Sequence, residues 1–210
     1  MFTGIVEGTG VVRDRNETDD GLRLRIGVDG LGFDDLAHGQ SISVSGVCLT
    51  VETHGDGEGR SREGADASGE WFEVFLADET VAKTYLDEVV EGDVVNVERA
   101  MPADGRFDGH LVQGHVDTVA EVTGISRVGE DWRFTFSIPE GHGRYLVQKG
   151  SVTLDGISLT IADRRETEFD VAIIPTTYDL TTLSEKAVGD PVHLEVDVIA
   201  KYVENMIEGY

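Results

Sequence analysis

Apolar residues along this chain fall in short runs rich in Val and Ile and punctuated by Gly. One series occupies residues 4–13, 22–28, 41–45, 47–53, 71–77 and 93–99; a second occupies 112–124, 132–138, 151–154, 157–163, 168–174 and 191–196. Runs of this length and composition, bounded by turn residues, read as β-strands. The stretches SGV (45–47) and DGI (155–157) signal tight turns between adjacent strands. Six short strands in each series predict a small closed barrel, because closure leaves no exposed sheet edge. ETVAKTYLDEV (79–89) and YDLTTLSEK (178–186) each predict a short helix ahead of a last strand, and MPADGRFDG (101–109) reads as a linker. In the tail 198–210, Ile199, Tyr202, Val203 and Met206 share one face at helical spacing, which predicts a terminal amphipathic helix and a subunit contact. The expected fold is all-β: two tandem six-stranded antiparallel, Greek-key-like barrels (1–98 and 110–197), a linker (99–109) and a C-terminal helix (198–210).

The two series are copies of one another. Residues 41–51 (SISVSGVCLTV) set against 151–161 (SVTLDGISLTI) match identically at four of eleven positions, and six more are close in shape. The same offset of 110 aligns GIVEGTGVV (4–12) with GHVDTVAEV (114–122). Further on, 72–98 and 169–195 are identical at ten of 27 positions, against about two expected by chance from ordinary residue usage. The offset there is 97, so the first copy carries 13 extra residues, within the Gly-rich acidic stretch 52–71 that reads as a long surface hairpin loop.

Composition narrows the partners. The chain has 210 residues and a formal net charge of −24, with 13 Arg but only four Lys: Lys83, Lys149, Lys186 and Lys201. A phosphate backbone would be repelled, so no nucleic-acid partner is expected. Acid spread over both halves with scarce Lys points to a cytosol of very high salt, as in halophilic organisms, where charges are screened within about 3 Å at 1 M. No apolar run approaches the roughly 20 residues of a membrane span. Met1-Phe2-Thr3-Gly4 lacks the features of a signal peptide, and the one cysteine, Cys48, cannot form an internal disulfide. A cytoplasmic location is expected, with no membrane partner.

Taken together, MFTGIVEGTG (1–10), GVCLTV (46–51), GHLVQGHVD (109–117), KGSVTLDGISLTI (149–161), IPTTYDLTTL (174–183) and AKYVE (200–204) resemble the riboflavin synthase family, over essentially the whole chain and in order. The resemblance implies a cofactor-free dismutase acting on two molecules of 6,7-dimethyl-8-ribityllumazine per active site. A four-carbon unit passes from one to the other, giving riboflavin and 5-amino-6-(ribitylamino)uracil. It also implies a homotrimer in which the first barrel of one subunit works with the second barrel of a neighbour. A reaction between two identical molecules needs two similar pockets, which explains the duplication.

Carried across by motif, Gly4, Ile5 and Val6 would line the first pocket with Cys48, Leu49 and Thr50 and with Phe75, Leu76, Ala77, Asp78, Glu79 and Thr80. Gly114, His115 and Val116 would line the second with Lys149, with Ser158, Leu159 and Thr160, and with Ile173, Ile174, Pro175, Thr176, Thr177 and Tyr178. From spacing alone Leu49 and Leu159 read equally as core, and Thr50 and Thr160 as ordinary strand positions. The chemistry requires a base to take a proton from the 7-methyl group of one lumazine. His115 fits, since imidazole titrates near neutral pH; its counterpart in the first copy is Ile5. Cys48 and Ser158, also counterparts, could add to the ring or hydrogen-bond it, although a small buried cysteine needs no special explanation. Asp197 could polarise Ser158 or orient a water, or simply cap a helix. Phe2 could cover a ring face or close the site. Thr176 and Tyr178 depart from the family pattern. A non-catalytic lumazine or flavin carrier of the same fold is the principal rival, and the intact second copy speaks against it. A flavin reductase would need a nicotinamide-binding GxGxxG, and none is present.

Overall fold

In the computed structural model, which describes residues 1–33, 35–55 and 69–208, the glycine-bounded runs become strands. The first barrel comprises β1 (Gly8–Thr18), β2 (Gly21–Gly27), β3 (Ser41–Val44), β4 (Val47–Gly55), β5 (Trp71–Ala77) and β6 (Val94–Arg99). The second comprises β7 (Thr118–Val128), β8 (Asp131–Ser137), β9 (Ser151–Leu154), β10 (Ile157–Arg164), β11 (Glu168–Ile173) and β12 (Pro191–Val196). Each sheet closes on itself with the same order of neighbours. Around the barrels these are β1-β2-β5-β4-β3-β6 and β7-β8-β11-β10-β9-β12, antiparallel throughout. Residues 56–68, most of the expected surface loop, lie outside the described residues; the flanks of that stretch, to Gly55 and from Trp71, are strand.

Alternation of side chains fills the two interiors. On β5, Phe72, Val74 and Leu76 point inward between half-buried Trp71, Glu73 and Phe75. The first interior adds Leu24, Ile26 and Ile42; the second is built on Phe134, Phe136, Phe169 and Leu154, all fully buried. Each such side chain withdrawn from water contributes about 1.5–3 kcal/mol. The duplication extends to the irregularities: β-bulges interrupt the register between Val12 and Asp14 and between Val51 and Thr53, and again, 110 residues on, between Val122 and Gly124 and between Ile161 and Asp163.

The expected hairpin turns form. Ser45-Gly46 (φ 43°, 85°) and Asp155-Gly156 (φ 45°, 82°) have both central residues left-handed, as a two-residue type I′ loop requires. The two turns also meet: a Cβ placed on Gly46 would lie 2.7 Å from the Gly156 nitrogen. The barrels therefore dock turn to turn, about an approximate two-fold axis.

Two expectations require correction. The first strand of each barrel starts later than its apolar run, at Gly8 and Thr118, because residues 2–6 and 112–116 leave their own barrel and pack on the other. The helices also start earlier than expected and are broken. They are α1 (Asp78–Lys83) and α2 (Pro175–Leu180), each followed by a 3₁₀ turn, Tyr85–Asp87 and Thr182–Ser184. Pro175 supplies a preset φ at the first helical position. Thr84 and Thr181 then end the helices in extended conformation, donating their hydroxyls to the carbonyls of Thr80 (2.8 Å) and Thr177 (2.7 Å). The tail forms α3 (Val198–Glu208), whose apolar face leaves Tyr202 68 % exposed and Met206 67 % exposed.

Candidate functional site

In both barrels the wall opens at the same seam. Pairing of β4 with β5 ends at Val51–Val74, although β4 continues back to Val47 and β5 on to Ala77. Pairing of β10 with β11 likewise ends at Ile161–Val171. Cys48–Thr50 thus faces Phe75–Ala77, and Ser158–Thr160 faces 172–174, with no ladder between them. Unpaired strand edges of this kind offer N–H and C=O groups to the rim of a flat heterocycle.

A segment from the opposite half closes each seam. The Cys48 N–H donates to the Gly114 carbonyl (2.8 Å), and the Ser158 N–H donates to the Gly4 carbonyl (2.7 Å). Approach is so close that a Cβ on Gly114 would sit 2.6 Å from the Cys48 Cβ, and one on Gly4 would sit 2.7 Å from that of Ser158. Both glycines are left-handed (φ 77° and 75°), which a side chain would resist. Val116 packs on the first core and Val6 on the second.

This crossing corrects the expected grouping. Gly114, His115 and Val116 belong with Cys48–Thr50, while Gly4, Ile5 and Val6 belong with Ser158–Thr160. Motif order suggests the reverse because it groups neighbours in sequence, whereas the segments cross in space. The crossing places the segment carrying His115 beside Cys48; His115 is exposed and Cys48 is half-buried.

The second seam holds a pair that sequence reasoning missed. His110 is buried, with Nδ1 2.7 Å from Ser158 Oγ and Nε2 3.1 Å from Thr153 Oγ1. Burial pushes its imidazole below the usual value, against the pull of the Asp197 carboxylate. The signal lay in GHLVQGHVD, which contains His110 as well as His115. Ser158 and Thr153 thus share one imidazole at the second seam.

Other expected residues take plainer places. Leu49 and Leu159 are core, as are Leu76 and Ile173, which are fully buried and offer a pocket only their backbone. Thr50 and Thr160 are exposed at the seams. Ala77, Asp78, Ile174, Pro175 and Thr176 are exposed rim residues, and Thr80 and Thr177 are half-buried beside them. Glu79 pairs with Lys83 on the surface of α1 (2.7 Å). Tyr178 stacks on Trp132, with centroids 4.4 Å apart.

Phe2 and Asp197 take structural places in the chain. Phe2 is fully buried and exchanges backbone hydrogen bonds with Val112 (2.8 and 3.2 Å). It ties the two crossing segments together and shows no face to a ligand. Asp197 caps α3, accepting from the Ile199 N–H (2.9 Å), and the partner of Ser158 is His110. Lys149 is exposed in left-handed conformation (φ 66°), where the first copy has Gly39. It adjoins Gly150 and Ser151, which line an apolar groove of about 550 Å³ beneath α3 with Tyr145, Val147 and Val203.

Comparison with known proteins agrees with this architecture. The family described as "Lumazine binding domain" matches twice, over residues 3–100 and 113–197. Riboflavin synthase of Mycobacterium bovis is 43 % identical over 214 residues, covering 99 % of this chain and 98 % of that protein. The Schizosaccharomyces pombe enzyme is 40 % identical, covering 100 % and 95 %, and that of Bacillus subtilis is 38 % identical, covering 97 % and 88 %. Among solved structures, LumP complexed with riboflavin superposes with a TM-score of 0.77 at 23 % identity, covering 93 % of this chain and 99 % of that one, which speaks to the fold alone. No helix among the described residues is long and apolar enough to cross a membrane.

Proposed function

The chain belongs to the riboflavin synthase family, and we propose that its two seams each hold one 6,7-dimethyl-8-ribityllumazine for that family's dismutation. Four carbons leave one molecule and join the other, giving riboflavin and 5-amino-6-(ribitylamino)uracil. The two substrates are identical, so carbon and hydrogen balance without oxidant, reductant or cofactor.

The observation that carries the reading is the pair of equivalent seams with different chemistry beside them. At one, Cys48 lies next to the His115 segment; at the other, Ser158 is hydrogen-bonded to His110. Similar walls bind the same heterocycle, while the differing side chains allow one molecule to lose a methyl proton and the other to be activated at its ring carbon. With the proton of a neutral His110 on Nε2, facing Thr153, Nδ1 is free to accept from the Ser158 hydroxyl and make it the better nucleophile.

The remaining parts of the reading follow the family. The chain works as a homotrimer through α3, with the first barrel of one subunit meeting the second barrel of its neighbour, and the exposed stripe of Ile199, Tyr202, Val203 and Met206 supports that contact. The functional units are 1–98 and 110–197, joined by 99–109 and followed by 198–210. The setting is the cytoplasm of a halophile, in keeping with a net charge of −24.

The test mixes purified chain with the lumazine in molar salt and follows riboflavin fluorescence. Riboflavin and the pyrimidine in equal amounts support the reading. Binding at one equivalent per chain without riboflavin would instead establish a carrier.

A further inference from the structure

Two buried glutamates hold the crossing segments, and nothing in the chemistry above uses them. Glu98 on β6 and Glu195 on β12 are equivalent in the repeat and are 5 % and 3 % exposed. Glu98 Oε1 accepts from the Thr3 N–H (2.8 Å) and hydroxyl (3.2 Å), and its Oε2 accepts from the Gly4 N–H (3.1 Å). Glu195 Oε1 accepts from the Gln113 N–H (2.7 Å), and its Oε2 accepts from those of Gly114 (2.9 Å) and His115 (3.0 Å). Among the described residues neither carboxylate has a salt-bridge partner. A buried carboxylate without a cation is costly unless several donors converge on it, and here every donor but the Thr3 hydroxyl is backbone. The residues gripped are those that close the seams: Gly4 against Ser158, Gly114 against Cys48.

We propose that Glu98 and Glu195 are positioning residues. Each uses a buried carboxylate to fix the backbone segment that one half of the chain lends to the pocket of the other. This rests on reading the seams as lumazine sites. The geometry calls for an acceptor-only group, since three donors point at each side chain. Glutamine would fit the space but set an amide N–H₂ against them.

Burial pushes Glu98 up to about 7, against the pull of the Thr3 and Gly4 donors, and Glu7 adds to the rise. The charged groups around it are Glu7 on the approach to β1, Arg99 beside it on β6, Asp35 paired to Arg99 (2.5 Å), and Arg106 of the linker in the same cavity. His110 lies behind Thr3, donating its backbone N–H to the Thr3 carbonyl (3.1 Å), and β3 presents neutral Ser43. Lumazine affinity at the Ser158 seam therefore increases as pH rises through about 7 and Glu98 ionises.

The experiment uses the full chain as Glu98→Gln and Glu195→Gln, with 6,7-dimethyl-8-ribityllumazine as the probe and amide NMR alongside. Glu98→Gln is expected to move the Thr3 and Gly4 amide resonances, weaken binding at the Ser158 seam by about tenfold or more, and remove its pH dependence. Glu195→Gln is expected to do the same to Gly114 and His115 and weaken the Cys48 seam. Wild-type affinities and an unchanged pH profile in both variants would overturn the proposal. If a variant does not fold, the wild-type titration decides: Thr3 and Gly4 amide shifts that do not track affinity contradict it. Should wild-type chain bind no lumazine, the proposed function fails. The grip is then judged from the amide shifts alone, and shifts unmoved by Glu98→Gln would overturn it.

Discussion

Asn96 and His193 occupy equivalent positions on β6 and β12, and each reaches across to the opposite barrel in the same way. The Asn96 amide donates to the Asp155 carbonyl (2.9 Å) and accepts from the Thr182 N–H (2.8 Å). His193 Nδ1 lies 2.7 Å from the Ser45 carbonyl, and its Nε2 accepts from the Tyr85 N–H (3.0 Å). A carbonyl only accepts and an amide N–H only donates, so the partners fix one tautomer, with hydrogen on Nδ1 and Nε2 bare. His193 is therefore neutral, its imidazole held below the usual value first by burial, and the Tyr85 ring stacks on it at 3.9 Å. Asparagine and neutral histidine present the same donor and acceptor, which is how two different residues serve one symmetric clasp.

His193→Asn is accordingly expected to fold with nearly wild-type stability. His193→Ala, which strands the Ser45 carbonyl and the Tyr85 N–H, is expected to lose about 2–4 kcal/mol. Urea unfolding distinguishes them, and equal losses in the two variants would contradict the clasp.

The same residue sets a pH dependence. A histidine whose folded pKa is depressed binds fewer protons folded than unfolded. Its contribution is full above the unfolded value of about 6.5 and shrinks as pH falls below that. Stability of the wild type minus that of His193→Asn is expected to fall between about pH 7 and about pH 5; a flat difference would show that His193 is not held neutral.

Glu98 acts with the opposite sign. Its folded value, about 7, lies above the ordinary 4.5, so its contribution is full below 4.5 and is lost as pH rises through about 7. Measured as wild type minus Glu98→Gln, stability is expected to decline across that window. A rise with pH would mean the carboxyl is not burdened by burial.

Lys149 holds a left-handed backbone that its repeat counterpart assigns to Gly39. A non-glycine residue there carries about 1–2 kcal/mol of strain, which persists where the residue is needed. Lys149→Gly is expected to be neutral or stabilising by up to about 1 kcal/mol while lowering turnover. Destabilisation with full activity would remove Lys149 from the site.

Local chemistry was legible in the sequence and distant pairing was not. Ser45-Gly46 and Asp155-Gly156 announce their turns because left-handed φ selects such residues on the spot, and the α3 stripe follows from helical spacing. The crossing of 2–6 and 112–116 depends on Glu98 and Glu195, 80 to 95 residues away from the amides they hold, and no window around either segment contains that information. The same distance hid the His110–Ser158 pair, 48 residues apart. The burial of Phe2 is hidden for a related reason, since the Val112 backbone that pairs with it lies far along the chain. The start of helix α2 is hidden in the sequence because Pro175 fits a pocket motif as well as a first helical position.

The central claim is that each pocket is walled by both halves of the chain. A crystal structure of the protein with a non-reactive lumazine analogue tests it most directly. One ring is expected between Cys48–Thr50 and Gly114–Val116, and another between Ser158–Thr160 and Gly4–Val6. A ring lying between Cys48–Thr50 and Gly4–Val6, or a second barrel that holds none, would contradict the account.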